Sequence, residues 1–295
     1  MSAAAEHRGR LLAVLGLTSA VLVAELVGGL LTGSLALLAD AGHMFTDVAG
    51  LGLSILAITF AARSPTLQRT YGFYRLEILA AVVNGVLLLG VAVLVLIEAW
   101  RRFRAPPDVS GSGMLAFALV GLVATVVGLF VLRHGAQHSL NVKGAYLEVL
   151  GDLLGAAAVV LAAVLIAATG WKQADPSASV LVALMILPRT WTLLREAIDV
   201  LLEATPRGID LDDVRRHIVE TEGVIDAHDL HVWTITSGMP VLSVHVVVAE
   251  QVLADGAGGR ILDLLGDCLA DHFDVEHCTF QLEPAGHAEH ERGTH

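Results

Sequence analysis

The sequence is poor in charged residues, aromatic residues and cysteine, and each scarcity excludes a class of protein. Charged residues make up 16% of the 295-residue chain, hydrophobic residues make up 55%, and the mean hydropathy is +0.69. This composition is too apolar for an ordinary soluble protein and is typical of a membrane protein. Only Cys268 and Cys278 occur, so neither a disulfide framework nor a four-thiolate zinc site can form within one chain.

Basic residues are also scarce, and charge is distributed unevenly along the chain. The formal net charge is -12, which argues against a nucleic-acid partner because phosphate binding needs clustered Lys and Arg. From Glu203 onward the chain holds 18 of its 30 acidic residues, 5 of its 18 basic residues and 9 of its 13 histidines. The sequence therefore divides into an apolar part, residues 1–202, and an acidic part from residue 203 onward, whose charge favours cations as binding partners.

Six stretches of the apolar part are long enough to cross a hydrocarbon core, which takes about 20 mostly apolar residues. They are residues 11–31, 35–61, 76–99, 114–132, 144–169 and 177–202, the last interrupted near Pro188. The first stretch follows a short basic N-terminus without a cleavage site, which predicts a span and not a signal peptide. With the N-terminus inside, nine Lys and Arg residues fall in inner segments and four in outer ones, which predicts that both termini are cytoplasmic.

The acidic part predicts a small α+β domain over residues 203–284. Apolar periodicity predicts helices at 210–221 and 260–273 and strands at 224–236, 241–249 and 275–283. This order favours an antiparallel sheet backed by helices. The tail, residues 285–295, is predicted to be disordered, and its histidines are His287, His290 and His295.

Two pairs of metal-competent residues fall within predicted spans. His43 and Asp47 in the second span, and Glu148 and Asp152 in the fifth, are spaced i, i+4 and so share a helix face. Ionisable groups in spans are costly, by about 2.5 to 3.5 kcal/mol for a central Asp, and are usually functional. If the two helices face each other, the pairs would supply one imidazole and three carboxylates for a divalent ion, and protons would compete with metal for these ligands.

The alternative interpretation is a structural His43–Asp47 pair, with Glu148 and Asp152 at a headgroup boundary. Asp40 precedes His43 by one turn and either lines an exit path or ends a helix. In the first and third spans, polar side chains are expected to form interhelical hydrogen bonds, and these are Glu25 and Asn84.

A second candidate metal site lies in the acidic part. His231 on the first strand and His245 on the second are placed to meet across the sheet, and Glu283 ends the third strand. Such mixed nitrogen and oxygen donors suit zinc. The alternative is a set of exposed sheet histidines; further candidate ligands are His228, Asp229, His277 and Cys278.

Four segments of the chain, in order, resemble the cation diffusion facilitators. They are Ser-Leu-Ala-Leu-Leu-Ala-Asp-Ala-Gly-His-Met at 34–44, Tyr-Arg-Leu-Glu at 74–77, Asn-Val-Lys-Gly-Ala-Tyr at 141–146 and His-Asp-Leu-His-Val-Trp at 228–233. The likeness covers nearly the whole chain and is greatest to the bacterial zinc, cobalt and cadmium efflux branch. It implies six transmembrane helices, a cytoplasmic ferredoxin-like domain, a homodimer in the inner membrane, and export of zinc or related ions in exchange for protons, with no organic cofactor.

One position departs from that branch, which usually carries histidine where this chain has Glu148. His43, Asp47 and Asp152 match the ligand pattern that the resemblance implies. The third carboxylate raises the formal negative charge of the deprotonated ligands from two to three. Because these metals prefer different ligands, this change is expected to favour the binding of cobalt, iron(II) or manganese(II) relative to that of zinc and cadmium.

Four other functions compete with metal transport, and one of them is a metal-gated channel, which would show conductance. No His-Glu-x-x-His motif occurs, which disfavours an intramembrane metalloprotease and an enzyme in general. A membrane-tethered metal sensor is disfavoured because a mere anchor avoids ionisable pairs. A proton-coupled organic-cation exporter needs an aromatic-lined pocket, and aromatic residues make up only 5% of the chain.

Overall fold

A computed structural model of the chain describes residues 3–61, 63–133, 140–275 and 277–290. His295 and most of the connection predicted at 134–141 lie outside the described residues. The chain forms two compact units, Met1–Leu56 with Ala80–Leu194 and Ala57–Leu79 with Arg195–His295. Each unit has its own apolar core.

In the residues that the structure describes, the apolar part of the chain forms six long helices. They are α1 (Ala3–Thr32), α2 (Leu35–Ala61), α3 (Leu76–Arg104), α4 (Gly111–Leu132), α5 (Leu140–Thr169) and α6 (Ala174–Leu201). Five of them contain described stretches long and apolar enough to cross a membrane, and α2 coincides with the second predicted span. The helices therefore confirm the predicted helical membrane region.

Helix α6 runs through Pro188 without a break, so the interruption predicted there is wrong. Pro188 has no N–H, so the carbonyl of Leu184, four residues earlier, loses its helical donor while the helix continues. Next to it, Thr190 Oγ1 donates to the Ile186 carbonyl at 3.0 Å and Thr192 Oγ1 donates to the Pro188 carbonyl at 3.1 Å, each bonding back by one helical turn.

Small residues let the helices of the first unit approach closely. A Cβ atom at Gly111 of α4 would lie 2.7 Å from the backbone nitrogen of Ala167 in α5, and one at Gly28 of α1 would lie 2.4 Å from the Phe117 ring of α4. Alanines are frequent in the buried core of this unit. Because lipid tails are as apolar as the helices, such close van der Waals packing is a main source of helix association in a membrane.

The carboxylate of Asp175, in the first turn of α6, caps the start of α2. It is fully buried and accepts hydrogen bonds from Ser34 Oγ at 2.6 Å and from the backbone N–H groups of Leu35 at 2.9 Å and Ala36 at 3.1 Å. The Arg102 guanidinium of α3 adds a contact at 3.4 Å. The first N–H groups of a helix have no partner within it, and the N-terminus of a helix favours negative charge. Asp175 thus fixes α2 against α3 and α6.

The second unit contains a three-stranded sheet and short helices. Its elements are α7 (Leu211–Val219), β1 (Val224–Thr234), β2 (Pro240–Val248), α8 (Glu250–Ala254), α9 (Gly258–Phe273), β3 (His277–Pro284) and a 3₁₀ helix (His287–His290). The strand order is β1-β2-β3, with β1 and β2 antiparallel and β2 and β3 parallel. The fully antiparallel sheet that we predicted is therefore wrong. The crossover through α8 and α9 returns the chain to the same end of the sheet, as a parallel pair requires.

A bulge in β1 changes the cross-strand pairing that the sequence predicts. His228 pairs with His245 and His231 pairs with Ser243, so three steps on β1 match two on β2. Asp229 lies within this irregularity and has a φ of 47°, in the left-handed region that Asp tolerates better than most residues. Because directly paired residues share a sheet face, His228 and His231 point to the same side.

In the part of the tail that the structure describes, residues 285–290, the chain forms the 3₁₀ helix His287–His290, and the disorder of the tail stays a prediction. The 3₁₀ helix is held by a contact of 3.2 Å between His290 Nδ1 and the Gly286 carbonyl. His287 Nε2 lies 3.9 Å from Glu283 Oε2, one turn earlier in the chain.

The segment between α2 and α3 belongs to the second unit and is bound to its sheet. Thr236 Oγ1 donates to Glu77 Oε2 at 2.5 Å, and the Tyr71 hydroxyl lies 3.3 Å from His277 Nε2. Arg75 forms an ion pair of 2.7 Å with Glu203. These contacts attach the start of α3 and the segment before it to the rest of the second unit.

We predict that Asp175→Ala destabilises the protein, because it leaves the buried N–H groups of Leu35 and Ala36 without their acceptor, although Arg102 keeps its bonds to Glu98 and to the Gly33 carbonyl. A loss of about 1–3 kcal/mol corresponds to a fall in Tm of roughly 5 °C in thermal unfolding of the detergent-solubilised chain. Asp108→Ala is the control, since Asp108 is exposed and pairs with Lys172 at the surface. An equal fall in both variants would contradict the capping role of Asp175.

Candidate metal centres

The first candidate centre joins α2 and α5 inside the first unit. His43 Nε2 lies 3.5 Å from Asp47 Oδ2 and 3.4 Å from Asp152 Oδ1. The three side chains are 11%, 21% and 13% exposed, and one potential ligand atom from each lies within 4.8 Å of the others. The sequence predicted all three, and the structure brings them together.

The spacing of these atoms suits a divalent transition metal. Zinc binds nitrogen and oxygen at about 2.0–2.2 Å, so ligand atoms around a tetrahedral ion lie roughly 3.3–3.6 Å apart. The two distances from His43 Nε2 fall in that range. The helical i, i+4 spacing brings Asp47 beside His43, and α5 supplies Asp152 from the other side. The arrangement can hold a divalent ion with one nitrogen and two oxygen ligands.

Glu148, predicted as the fourth ligand, has a different partner. Its Oε1 atom accepts a hydrogen bond of 2.5 Å from Nη2 of Arg189 in α6, and it does not belong to the group of three. Arg189 is one of the inner basic residues that predict the orientation of the chain. An arginine within an apolar helix was the available signal for an ion pair, since such a charge needs a partner.

A cavity of about 150 Å³ opens beside this centre. Described side chains from α2, α5 and α6 line it; they are Asp40, His43, Leu147, Glu148, Asp152, Val182, Met185, Ile186 and Arg189, with Gly151 and Gly155. Asp40 is 2% exposed and lies one turn from His43 toward the start of α2. The cavity thus extends the centre along α2 and α5.

Glu25 of α1 is another buried carboxyl group, with an exposed fraction of 1%. A Cβ atom at Gly121 of α4 would lie 2.2 Å from Glu25 Oε1, so the glycine makes room for it. Sequence reasoning named Glu25 but could not find Gly121, because a glycine within an apolar helix carries no such signal by itself.

The second candidate centre lies on the sheet of the second unit, on the face away from α7 and α9. His228 Nε2 lies 2.5 Å from Glu283 Oε1, and His245 Nδ1 lies 4.0 Å from the same atom. The two imidazole centroids are 5.1 Å apart, and Glu283 is 2% exposed. One nitrogen from each histidine and one carboxylate oxygen form a second group that can hold a metal ion.

His231, predicted as a ligand here, lies outside this group, and His228 takes its place. The bulge at Asp229 sets His231 opposite Ser243, one pair further along the sheet. His231 lines a separate cavity with Trp233. His228 was named from the sequence only as a further candidate, because strict alternation along β1 did not allow for an extra residue.

Cys278 is poorly suited to metal at neutral pH. Burial raises the pKa of its thiol to about 11, and its sulfur contacts the Val275 carbonyl at 3.4 Å. Metal binding requires the thiolate, which this pKa disfavours. Burial also raises the pKa of Cys268, with the nearby acidic groups Asp271 and Glu220 adding to the effect.

Comparison with known families finds two matches that together cover most of the chain. Residues 11–202 match the family model described as the cation efflux transmembrane domain, and residues 206–285 match the cytoplasmic domain of cation efflux proteins. These matches follow the division between apolar and acidic parts.

Characterised relatives align along almost the whole chain. The metal cation efflux system protein CzcD of Cupriavidus metallidurans is 46% identical over 92% of this chain and 85% of its own length. The zinc transporter ZitB of Escherichia coli is 42% identical over 93% and 87%, and the cadmium, cobalt and zinc/H(+)-K(+) antiporter of Bacillus subtilis is 41% identical over 90% and 86%. A solved metal-bound C-terminal domain of the CzcD transporter is 43% identical, covers 25% of this chain and 99% of its own, and gives a TM-score of 0.24.

We predict that His228→Ala removes about one zinc equivalent from the purified full-length chain, because Glu283 and His245 alone leave too few ligands. Zinc content after equilibrium dialysis, measured by mass spectrometry, tests this expectation. His231→Ala is the matched control, from the same strand and the same face. Loss of zinc in His231→Ala with none in His228→Ala would restore the original assignment of ligands.

Proposed function

Because the chain belongs to the cation efflux family, we propose that it exports a divalent transition-metal ion, zinc foremost, in exchange for protons. The observation that carries this proposal is the group of His43, Asp47 and Asp152, held between two helices of an apolar bundle. Groups of this kind are expensive inside a membrane and are retained where an ion passes. Relatives named as zinc and cation efflux proteins support zinc as the exported ion, with cadmium and cobalt as further candidates.

The proposed exchange follows from the chemistry of the ligands. Carboxylates and imidazole bind metal only after losing their protons, so a rise in proton concentration on one side of the membrane favours release there. His43, Asp47 and Asp152 would bind the ion, and the same atoms would take up protons when it leaves. No enzymatic step is needed.

Two alternative functions fit the cavity less well. Among the lining residues that the structure describes there is no Phe, Tyr or Trp, whereas an organic cation calls for aromatic walls. A metal sensor with anchoring helices has no use for three ionisable groups between two of those helices. The cavity and its chemistry favour a small inorganic ion.

We further propose that His228, His245 and Glu283 form a regulatory metal site and that the chain acts as a homodimer in the inner membrane with both termini in the cytoplasm. The match of residues 206–285 to the cation efflux cytoplasmic domain supports the cytoplasmic placement. Metal bound at this site would stabilise the sheet, because it neutralises the buried Glu283 carboxylate.

We predict that Asp47→Asn abolishes zinc-driven proton movement in proteoliposomes while leaving the protein folded. The amide keeps the shape of the side chain but removes a negative charge and a metal ligand, so the rate should fall by at least about a hundredfold. A pH-sensitive dye inside the vesicles reports proton flux when zinc, cobalt or manganese is added outside.

Asp108→Asn is the control, because it removes an exposed carboxylate far from the site in sequence and paired with Lys172. If the unmodified chain moves no protons with any metal, antiport is refuted. If zinc drives an electrical current that does not depend on protons, a channel takes its place.

A further inference from the structure

The Glu148–Arg189 ion pair is the feature of the transport centre that the proposed function leaves unused. Glu148 lies one helical turn before Asp152 on the same face of α5, and Arg189 reaches it from α6 across 41 residues of chain. Both side chains line the cavity that also contains His43 and Asp152. The pair therefore lies beside the group of three ligands and separate from it.

We propose that Arg189 determines metal specificity by holding Glu148 as an ion pair outside the ligand set. The inference rests on the proposed function, since it concerns which ion that same centre prefers. Arginine suits this role because its guanidinium keeps its proton under all physiological conditions and offers a fixed fork of donors to a carboxylate. It is a permanent positive charge that cannot bind a metal ion.

Formal charges show what the pair accomplishes. Asp47, Glu148 and Asp152 contribute three negative charges, and Arg189 contributes one positive charge, so the sum is two negative charges. A divalent ion neutralises such a centre. A site with a neutral histidine at position 148 and no arginine has the same sum, so the arginine offsets the added carboxylate.

The pairing also restricts the donor atoms that the ion meets. With Glu148 held at 2.5 Å from Arg189, the ion is bound by one nitrogen and two carboxylates, with a position left for water. An additional carboxylate would shift preference toward manganese and cobalt, which accept oxygen-rich sites more readily than zinc does. Arg189 therefore keeps the centre selective for zinc despite Glu148.

Transport rates for three metals in four proteins test this inference. The proteins are the unmodified chain, Arg189→Gln, Glu148→Gln and the double variant, and the readout is the ratio of manganese and cobalt rates to the zinc rate in proteoliposomes. We expect Arg189→Gln to raise both ratios about three- to tenfold, a modest change because the two side chains are 54% and 35% exposed. The double variant should return within about twofold of the unmodified chain, since it restores the charge sum.

Two further variants separate charge from structure. Arg189→Lys keeps the positive charge and should keep the metal ranking, whereas Arg195→Gln, which removes an exposed arginine from the same helix, should change nothing. A ratio of rates is insensitive to the fraction of protein that folds, so partial misfolding does not imitate the expected result.

Three outcomes would overturn the inference. The first is an unchanged metal ranking in Arg189→Gln. The second is a Glu148→Gln variant as inactive as Asp47→Asn, with no recovery in the double variant, which would make Glu148 a ligand in its own right. The third is a ranking in Arg189→Lys that matches Arg189→Gln. Failure of the proposed function looks different, because the unmodified chain itself would then move no metal.

Discussion

The arrangement of the first unit depends on one constraint, which is that each charged group inside an apolar helix bundle needs a partner. Asp175 meets it with the N–H groups of α2 and the Arg102 guanidinium, and Glu148 meets it with Arg189. Asp47 and Asp152 meet it with His43, whose imidazole lies between them. Each solution joins two or more helices, so the same pairings that make the charges tolerable also set where the helices lie.

The two kinds of pairing differ in what they leave available for an ion. Asp175 is fully buried and its oxygens are engaged by fixed donors, which makes it a structural group. His43 is neutral in its metal-binding form and can give up its carboxylate neighbours to a metal. Arg189 cannot become neutral, and it therefore does not release Glu148 to a metal, because its charge is permanent. A bundle of this type therefore contains both permanent and exchangeable partners for its carboxylates, and only the exchangeable ones can serve transport.

Hydropathy and i, i+4 spacing predicted the helices and three residues of the first centre, because a span and a helix face are local properties of the sequence. Partners from distant parts of the chain were not predictable in this way: the contact of Asp175 with Leu35, or of Arg189 with Glu148, depends on packing that no local pattern encodes. At the second centre the predicted grouping differs from the observed one by one histidine of β1. Alternation along the strand placed His231 beside His245, whereas the structure, with a left-handed residue at Asp229, groups His228 with His245 and Glu283.

That left-handed residue gives the His-Asp-Leu-His segment a property that ligand identity alone does not supply. In an uninterrupted strand, histidines three positions apart point to opposite faces, and one of them would displace apolar side chains such as Leu242 and Val244 from the core. The bulge brings both imidazoles onto one face, one cross-strand pair apart. The extra residue of the bulge thus acts as a spacer: a segment of the same length that paired residue for residue with β2 would turn His231 into the apolar core, whereas removing the extra residue would leave both imidazoles on one face.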